Sequence, residues 1–341
     1  MSRYLVTGAA GFIGSKVAEL LLAEGHTVVG ADNLNDAYAV SLKEWRLARL
    51  ERAANWTFHR IDIRSKDRLR ELFADGFDGV INLAARAGVR YSVIDPDVYV
   101  STNIVGTLNL LELSREFGVP KFVLASTSSL YGQDNPVPFG EDQNTDRPLS
   151  PYAASKKAAE ALCYTYHHLH HLDVSVLRYF TVYGPAGRPD MAPFRFVQWI
   201  VEGMPLTLYG DGTQSRDFTY VDDIARGTIA ALRPVGYRII NLGSDRPRSV
   251  NDLIAMIEGL TGRQATIERR EKHSADAPRT WADITTAREV LGWSPAVRLE
   301  DGVRALVDWY LENRSWAAAV PTDDVPAPSA VPLREMVTGT A

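Results

Sequence analysis

Cysteine is nearly absent from this chain: Cys163 is the single one in 341 residues. No internal disulfide can form, and a cysteine-built zinc site is excluded. No apolar run approaches the roughly 20 residues of a membrane-spanning helix. No charged segment followed by an apolar core opens the sequence either; MSRYLVTGAAGFIG runs straight into a strand and a glycine loop. An excess of positive charge is also lacking. Lys and Arg number 37 against 42 Asp and Glu, a formal net charge of −5, so neither a nucleic-acid partner nor an anionic membrane is implied. A reducing, cytoplasmic setting is expected. One further absence is local. The stretch STSSLYG at 126–132 sets hydroxyl side chains at the end of an apolar run, KFVLA, with no carboxylate among them.

The remaining composition, 45% hydrophobic and 23% charged, is ordinary for a soluble globular enzyme. Up to about residue 130, short apolar runs (YLVTG, TVVGAD, TFHRID, GVINLAA, KFVLAS) alternate with amphipathic stretches such as SKVAELLLAEG and DRLRELFADG. That alternation predicts a parallel sheet covered by helices on both faces. Pro151 opens a long helical segment, and VSVLRYF reads as a further strand. VNDLIAMIEGLTG reads as a helix capped near Ser249 or Asn251, and DGVRALVDWYLENR as the last helix. The expected fold is α/β. A Rossmann-like, doubly wound parallel sheet spans residues 1–180 with a return around 216–243, and a smaller α/β substrate domain covers 181–314. Residues 315–341 lack periodicity and are expected to be a disordered tail.

The segment TGAAGFIGSKVAELL spaces Gly8, Gly11 and Gly14 three apart between a strand and a helix, with Phe12 and Ile13 inside the run. Glycine permits the tight turn and close approach to a pyrophosphate, and the helix N-terminus offers unpaired N–H groups to it. Asp32 ends the second strand, ahead of Asn33; a carboxylate there accepts from a ribose diol and repels a 2′-phosphate, which favours NAD. A plain loop acid or helix cap is the competing reading of Asp32. Asp62 and Ile63 end the third strand and are expected to meet the adenine, against a simple turn aspartate. Leu83, Ala84 and Ala85 in NLAA suit a wall against which a cofactor lies.

Tyr152 and Lys156 stand four apart in a helical segment and so share a face. A phenol with a pKa near 10 is a weak base at neutral pH; an ammonium one turn away, with the charge of an oxidised nicotinamide, favours the phenolate. With TGAAGFIG, NLAA, STSSLYG, YAASK, RYFTVYGP and DGTQSRDFTYVDDI in place, the chain resembles the extended short-chain dehydrogenase/reductase family of nucleotide-sugar enzymes over about residues 3–312. That resemblance implies an NAD-dependent enzyme in which Thr127 hydrogen-bonds the reacting sugar oxygen beside Tyr152. Family dehydratases carry an Asp–Glu pair just after this Thr, and the decarboxylases a Glu. Ser128 and Ser129 stand here instead. Alcohols orient a substrate but shuttle protons poorly at neutral pH, so the expected reaction is epimerisation at C4.

RYFTVYGPAGRPDMAPFRF places Thr181 and Arg188 after the following strand. Both resemble the UDP-glucuronate 4-epimerases of the family, as does DNLNDAYAVSLKEWRLARL, and a guanidinium with a hydroxyl suits a hexuronate carboxylate. The plain alternative is that Arg188 pins its own loop. The resemblance further implies contacts to the nucleotide from Arg216, Asp276 and Arg279, and positions bordering the sugar and the catalytic helix for Arg90 and Asn103. The expected partner is a UDP-sugar, UDP-glucuronate converted to UDP-galacturonate. The alternatives are a 4-epimerase of UDP-glucose or UDP-N-acetylglucosamine, and a non-catalytic NAD-binding sensor or scaffold. HHLHHL at 167–172 lacks the zincin Glu and reads as a solvated or interface histidine patch, so no metal is expected. Cys163 reads as a buried small apolar residue. The helices around 103–117 and 152–170 resemble those that build a family homodimer.

Overall fold

A computed structural model of the chain describes residues 1–271 and 277–322. Its centre is a seven-stranded, wholly parallel sheet. The first six strands are β1 (Arg3–Thr7), β2 (Thr27–Asp32), β3 (Trp56–Arg60), β4 (Gly79–Asn82), β5 (Lys121–Thr127) and β6 (Asp173–Tyr179). The seventh, Tyr237–Leu242, pairs with β6 at one edge. Spatial order runs from that edge through β6, β5, β4, β1 and β2 to β3. The order reverses between β1 and β4, which is where an open α/β sheet offers a crevice to a ligand.

Between β1 and β6 lie the helices α1 (Phe12–Ala23), α2 (Val40–Leu50), α3 (Lys66–Phe73), α4 (Val89–Ile94), α5 (Pro96–Tyr99), α6 (Gly106–Glu116) and α7 (Pro151–His170), and the helix Val221–Ala230 precedes the seventh strand. Side chains alternate across each strand, so neighbours in sequence enter different cores. Leu5, Val29, Phe122 and Leu124 pack with α3, α6 and α7 residues such as Phe73, Leu110 and Cys163. Val6, Val28 and Val123 pack on the other face with Val17, Leu21 and Ile224. Both faces are covered, which is why these strands read as nearly unbroken apolar runs. Cys163 is buried in the first of these cores, as expected.

A third apolar cluster lies almost wholly after residue 180. It joins the helices Ala192–Glu202, Val250–Thr261 and Leu299–Glu312 through Phe194, Trp199, Leu253, Ile257, Leu306 and Tyr310. The helix at 250 is capped by Ser249, in a reciprocal box with Asp252.

The expected tail is corrected at its start. Arg314–Ala317 forms a helical turn, and Ala317, Val320 and Thr322 are buried. Arg195 Nε donates to Thr322 O at 2.8 Å, Trp199 Nε1 to Thr322 Oγ1 at 3.0 Å, and Gln198 Nε2 to Val320 O at 2.8 Å. This stretch has no periodicity because its partners are polar side chains of a distant helix that satisfy its buried backbone. Residues 323–341 lie outside the described residues. A chain ended at Asn313 is expected to lose about 3 kcal/mol of stability, from the exposed apolar surface of that docking site. Urea denaturation of the two chain lengths checks this.

Candidate active site

The cleft at the reversal point has a volume of about 330 Å³. It is lined at one end by Gly8, Gly11, Phe12, Ile13, Gly14, Asp32, Asn33, Asp62, Ile63, Leu83, Ala84 and Ala85. At the other end stand Thr127, Ser128, Ser129, Tyr152, Lys156, Thr181 and Arg188. Residues scattered over 180 positions therefore share one cavity.

The first end fits a dinucleotide on its own geometry. Gly8 has φ +68°, and a Cβ built on it would lie 2.7 Å from Ala84 N. A Cβ on Gly14 would lie 2.1 Å from Gly8 O. The loop thus passes against the β4 end and the α1 backbone at distances only glycine permits. Asp32 is 7% exposed; its Oδ2 accepts from Ala10 N at 3.2 Å and its Oδ1 from Leu34 N at 2.8 Å. Asp62 accepts from Asn33 Nδ2 at 2.8 Å and from Arg64 N at 2.9 Å. Burial raises the Asp62 pKa, but the hydrogen bonds from Arg64 and Asn33 prevail and hold it at about 2.

The second end is built where β5 stops and α7 starts. Ser150 caps α7 by accepting from Ala153 N at 3.2 Å, and Pro151 occupies its first turn. Tyr152 and Lys156 are thereby set at the helix start, beside the C-terminal edge of the sheet. Thr127 Oγ1 accepts from Ser129 N at 3.1 Å and lies 3.1 Å from Ser129 Oγ. Tyr152 and Thr127 line the same end of the cleft. Burial pushes the phenol up, while Thr127 and the Arg188 charge act in the opposite direction. Lys156 is 3% exposed. Burial lowers its pKa to about 8, opposed by Cys163 and Glu160.

Arg188 is half-buried at the mouth and forks onto Asp190, with Nε donating to Oδ1 at 3.0 Å and Nη2 to Oδ2. Burial works against the Arg188 charge and Asp190 restores it.

Several expected residues lie outside this cavity's lining. The Arg90 guanidinium sits 3.9 Å over the Tyr209 ring. Arg216 lies in the two-residue strand Ser215–Arg216, paired with Arg248–Ser249, and its Nη1 donates to Ser215 O at 2.9 Å. Arg279 forms an isolated backbone bridge to Ser215, the residue that precedes Arg216. Asp276 falls outside the described residues. Asn103 accepts from Arg86 N at 2.8 Å and donates to Ser155 Oγ at 2.9 Å, tying the loop after β4 to α7. The histidine patch is engaged locally: His167 Nδ1 lies 2.9 Å from Leu172 O, and His168 stacks on Tyr164.

Some side chains at the cleft escaped the reading of the sequence. Buried Tyr99 donates to Gly88 O at 2.9 Å and meets the Tyr152 ring edge-on at 6.0 Å. Lys43 Nζ donates to Asn35 O at 2.7 Å; burial lowers its pKa and Asp32 opposes this. Arg46 is 3% exposed and donates to Ala10 O at 3.1 Å, Ala186 O at 2.7 Å and the Tyr38 hydroxyl at 2.7 Å. It thus locks the loop that carries Arg188 onto the glycine loop. A lysine in the first turn of a helix, against the dipole, was the one available signal for Lys43.

Comparison with known proteins matches residues 4–243 to the NAD dependent epimerase/dehydratase family. This chain belongs to that family. Within the NAD dependent epimerase/dehydratase family, it is 58% identical over 315 residues to a UDP-glucuronate 4-epimerase of Thermodesulfobacterium geofontis, covering 92% of this chain and 97% of that one. A crystal structure of the UDP-glucuronic acid 4-epimerase of Bacillus cereus, in complex with UDP-glucuronic acid and NAD, superposes with a TM-score of 0.87 at 42% identity, covering 91% of this chain and 99% of that chain. The UDP-glucose 4-epimerase of Thermotoga maritima, solved with UDP-glucose, gives a TM-score of 0.85 at 32% identity, covering 92% and 99%.

The Asp62 carboxylate yields a prediction with a definite sign. A carboxyl held at about 2 instead of 3.8 stabilises the folded chain at all pH values above the ordinary one. That gain disappears as pH falls from about 4 through 2. Asp62→Asn is expected to flatten this acid limb by about 2 kcal/mol, measured by urea denaturation across pH.

Proposed function

We propose that this protein catalyses the NAD-dependent 4-epimerisation of UDP-glucuronate to UDP-galacturonate. One observation carries the reading of the reaction. The turn that faces Tyr152 across the cleft carries the hydroxyls Thr127, Ser128 and Ser129, and the acids in the lining are Asp32, Asp62 and Asp190. The first two are bonded at the dinucleotide end, and the third is forked by Arg188. Among the described residues no free carboxylate stands by the phenol to drive an elimination, so a keto sugar formed there is held and then reduced again. The relatives described above support the substrate.

Held by the glycine loop, Asp32 and the wall of Leu83, Ala84 and Ala85 that line one end of the cleft, NAD would supply reversible hydride acceptance at the sugar's C4. The chain's own residues do the rest. Tyr152 takes the proton from the 4-hydroxyl as C4 is oxidised and returns it on reduction. Thr127 shares that hydrogen bond and fixes the oxygen's position. The Lys156 ammonium stabilises the phenolate and holds the nicotinamide ribose. Asp32 accepts from the adenosine ribose. Turning the 4-keto sugar in the pocket between the two transfers presents its other face and inverts the centre. A 4-keto uronate is a β-keto acid, prone to lose carbon dioxide. Thr181, Ser128, Ser129 and Arg188 hold its carboxylate where that loss is disfavoured; the Nη1 side of Arg188 is the edge that Asp190 leaves open.

Arg216 and Arg279 extend the site along the diphosphate and nucleotide. The protein works as a cytoplasmic homodimer packed through α6, α7 and the turn before α6. Val100, Val105, Tyr164 and Leu169, exposed on these elements in the single chain, support that interface.

Incubation of the pure protein with UDP-glucuronate, followed by NMR, is expected to give UDP-galacturonate. A UDP-pentose would mean decarboxylation, and no turnover of any UDP-sugar would leave a sensor or scaffold. Tyr152→Phe is expected to lower turnover by at least about 10³-fold with NAD still bound, in line with loss of a general base plus its positioning; near-normal kcat would remove the role. Arg188→Met is expected to cut kcat/KM for UDP-glucuronate by about 100-fold, the loss of a charge-assisted pair, and to leave UDP-glucose far less affected. Equal losses on both sugars would contradict the assignment.

A further inference from the structure

Behind the cleft lies a buried ion pair that the reaction above does not use. Arg178, in β6, is 1% exposed, and Glu160, in α7, is 3% exposed. Taking two charges out of water is costly, and a well-packed apolar pair of similar volume is often as stable or more so. The fold keeps the charges and bonds them fully. Arg178 Nε donates to Glu160 Oε1 at 3.0 Å, and Nη2 to Oε2 at 2.8 Å. Ser126 Oγ also donates to Glu160 Oε1, at 2.5 Å. Arg178 Nη1 donates to the Tyr131 hydroxyl at 3.1 Å, which in turn donates to Asn241 Oδ1 at 2.7 Å.

The positions of these partners matter more than their number. Ser126 and Arg178 are register neighbours on adjacent parallel strands, and both reach the same carboxylate on the helix above. Glu160 stands one turn beyond Lys156 and two beyond Tyr152, on the same helical face. Ser126 immediately precedes Thr127, and Tyr131 closes the turn that holds Ser128 and Ser129. One carboxylate therefore joins the helix bearing the phenol and the ammonium to the strand end bearing the hydroxyls.

We infer that Glu160 is a positioning residue: clamped by Arg178 and Ser126, it sets the separation of Thr127 and Tyr152 and keeps a negative charge one turn from the buried Lys156 ammonium. The geometric part acts on kcat, since a misplacement near 1 Å in such a site costs about 10²-fold. The electrostatic part acts on protonation. Burial drives Lys156 toward the neutral amine, and Cys163 and Glu160 on its own helix act against this. From β6 Arg178 faces Glu160, with Tyr131 from the turn after β5 bonded to Arg178 in its turn; Tyr237, in the seventh strand, is the further titratable group that feels the Glu160 charge. The inference rests on the Tyr–Lys chemistry proposed above and not on the identity of the sugar.

The test uses the full-length, NAD-loaded protein and whichever UDP-sugar the wild type turns over. In Glu160→Gln, kcat is expected to fall about 30-fold, with KM and the NAD retained after desalting within about twofold of wild type. The alkaline limb of the kcat–pH profile, where Lys156 loses its proton, is expected to move about one pH unit lower. A folded E160Q protein with wild-type kcat and pH profile would overturn the inference. The double variant E160Q/R178M removes both buried charges. It is expected to recover most of the melting temperature but neither kcat nor the alkaline limb, and it decides the matter if E160Q alone fails to fold. Recovery of kcat together with melting temperature would reduce the pair to core filling and overturn the role. If the wild type turns over UDP-glucose but not UDP-glucuronate, the proposed substrate fails, and the Glu160 comparison proceeds on UDP-glucose.

Discussion

The close passage of the glycine loop over the sheet is the constraint on which the rest of this structure depends. A methyl group on Gly8 would press on the Ala84 backbone, and one on Gly14 would overlap the Gly8 carbonyl oxygen. Without those two hydrogens in place of side chains, β1 could not turn into α1 within a few residues. The crevice between the β1 and β4 ends would then close. Asp32, Asp62 and the alanine wall take their places around that crevice, and Arg46 carries the constraint outward. By donating to both Ala10 O and Ala186 O, it makes the position of the Arg188 loop depend on that of the glycine loop.

Burial governs the chemistry at the other end of the cleft. It pushes the Tyr152 phenol up and the Lys156 ammonium down, so each group leans toward its neutral form. Neighbours decide how far. Thr127 and Arg188 work on the phenol, and Glu160 and Cys163 on the lysine. The same logic explains why Arg188 has a carboxylate two residues away. A half-buried guanidinium is costly alone, and Asp190 compensates its charge while using one edge of the fork.

Much of this was legible in the residues. The alternation of apolar runs and amphipathic stretches is a direct consequence of strands buried on both faces, and it predicted the parallel sheet. The glycine spacing, the strand-end acids, the hydroxyl run and the Y-x-x-x-K pair mark the cleft because backbone geometry and helical periodicity translate spacing into proximity. Other parts left no such mark. Arg178 and Glu160 sit 18 residues apart in a strand and a helix that read as ordinary, and their pairing follows only from how α7 lies across β5 and β6. Tyr99 reaches the Tyr152 ring from a segment with no motif. Residues 315–322 read as a tail because Gln198 and Trp199, which hold them, are more than 110 positions away.

The order of residues along the chain determined the elements, the glycine turn and the chemical types available at each strand end, because these depend on interactions within a few positions. Which charges are paired, how far each pKa moves, and which edge of Arg188 stays open were decided by the tertiary structure. Those quantities depend on desolvation and on contacts between segments distant in sequence. They take values only once the helices have docked on the sheet and water has been excluded.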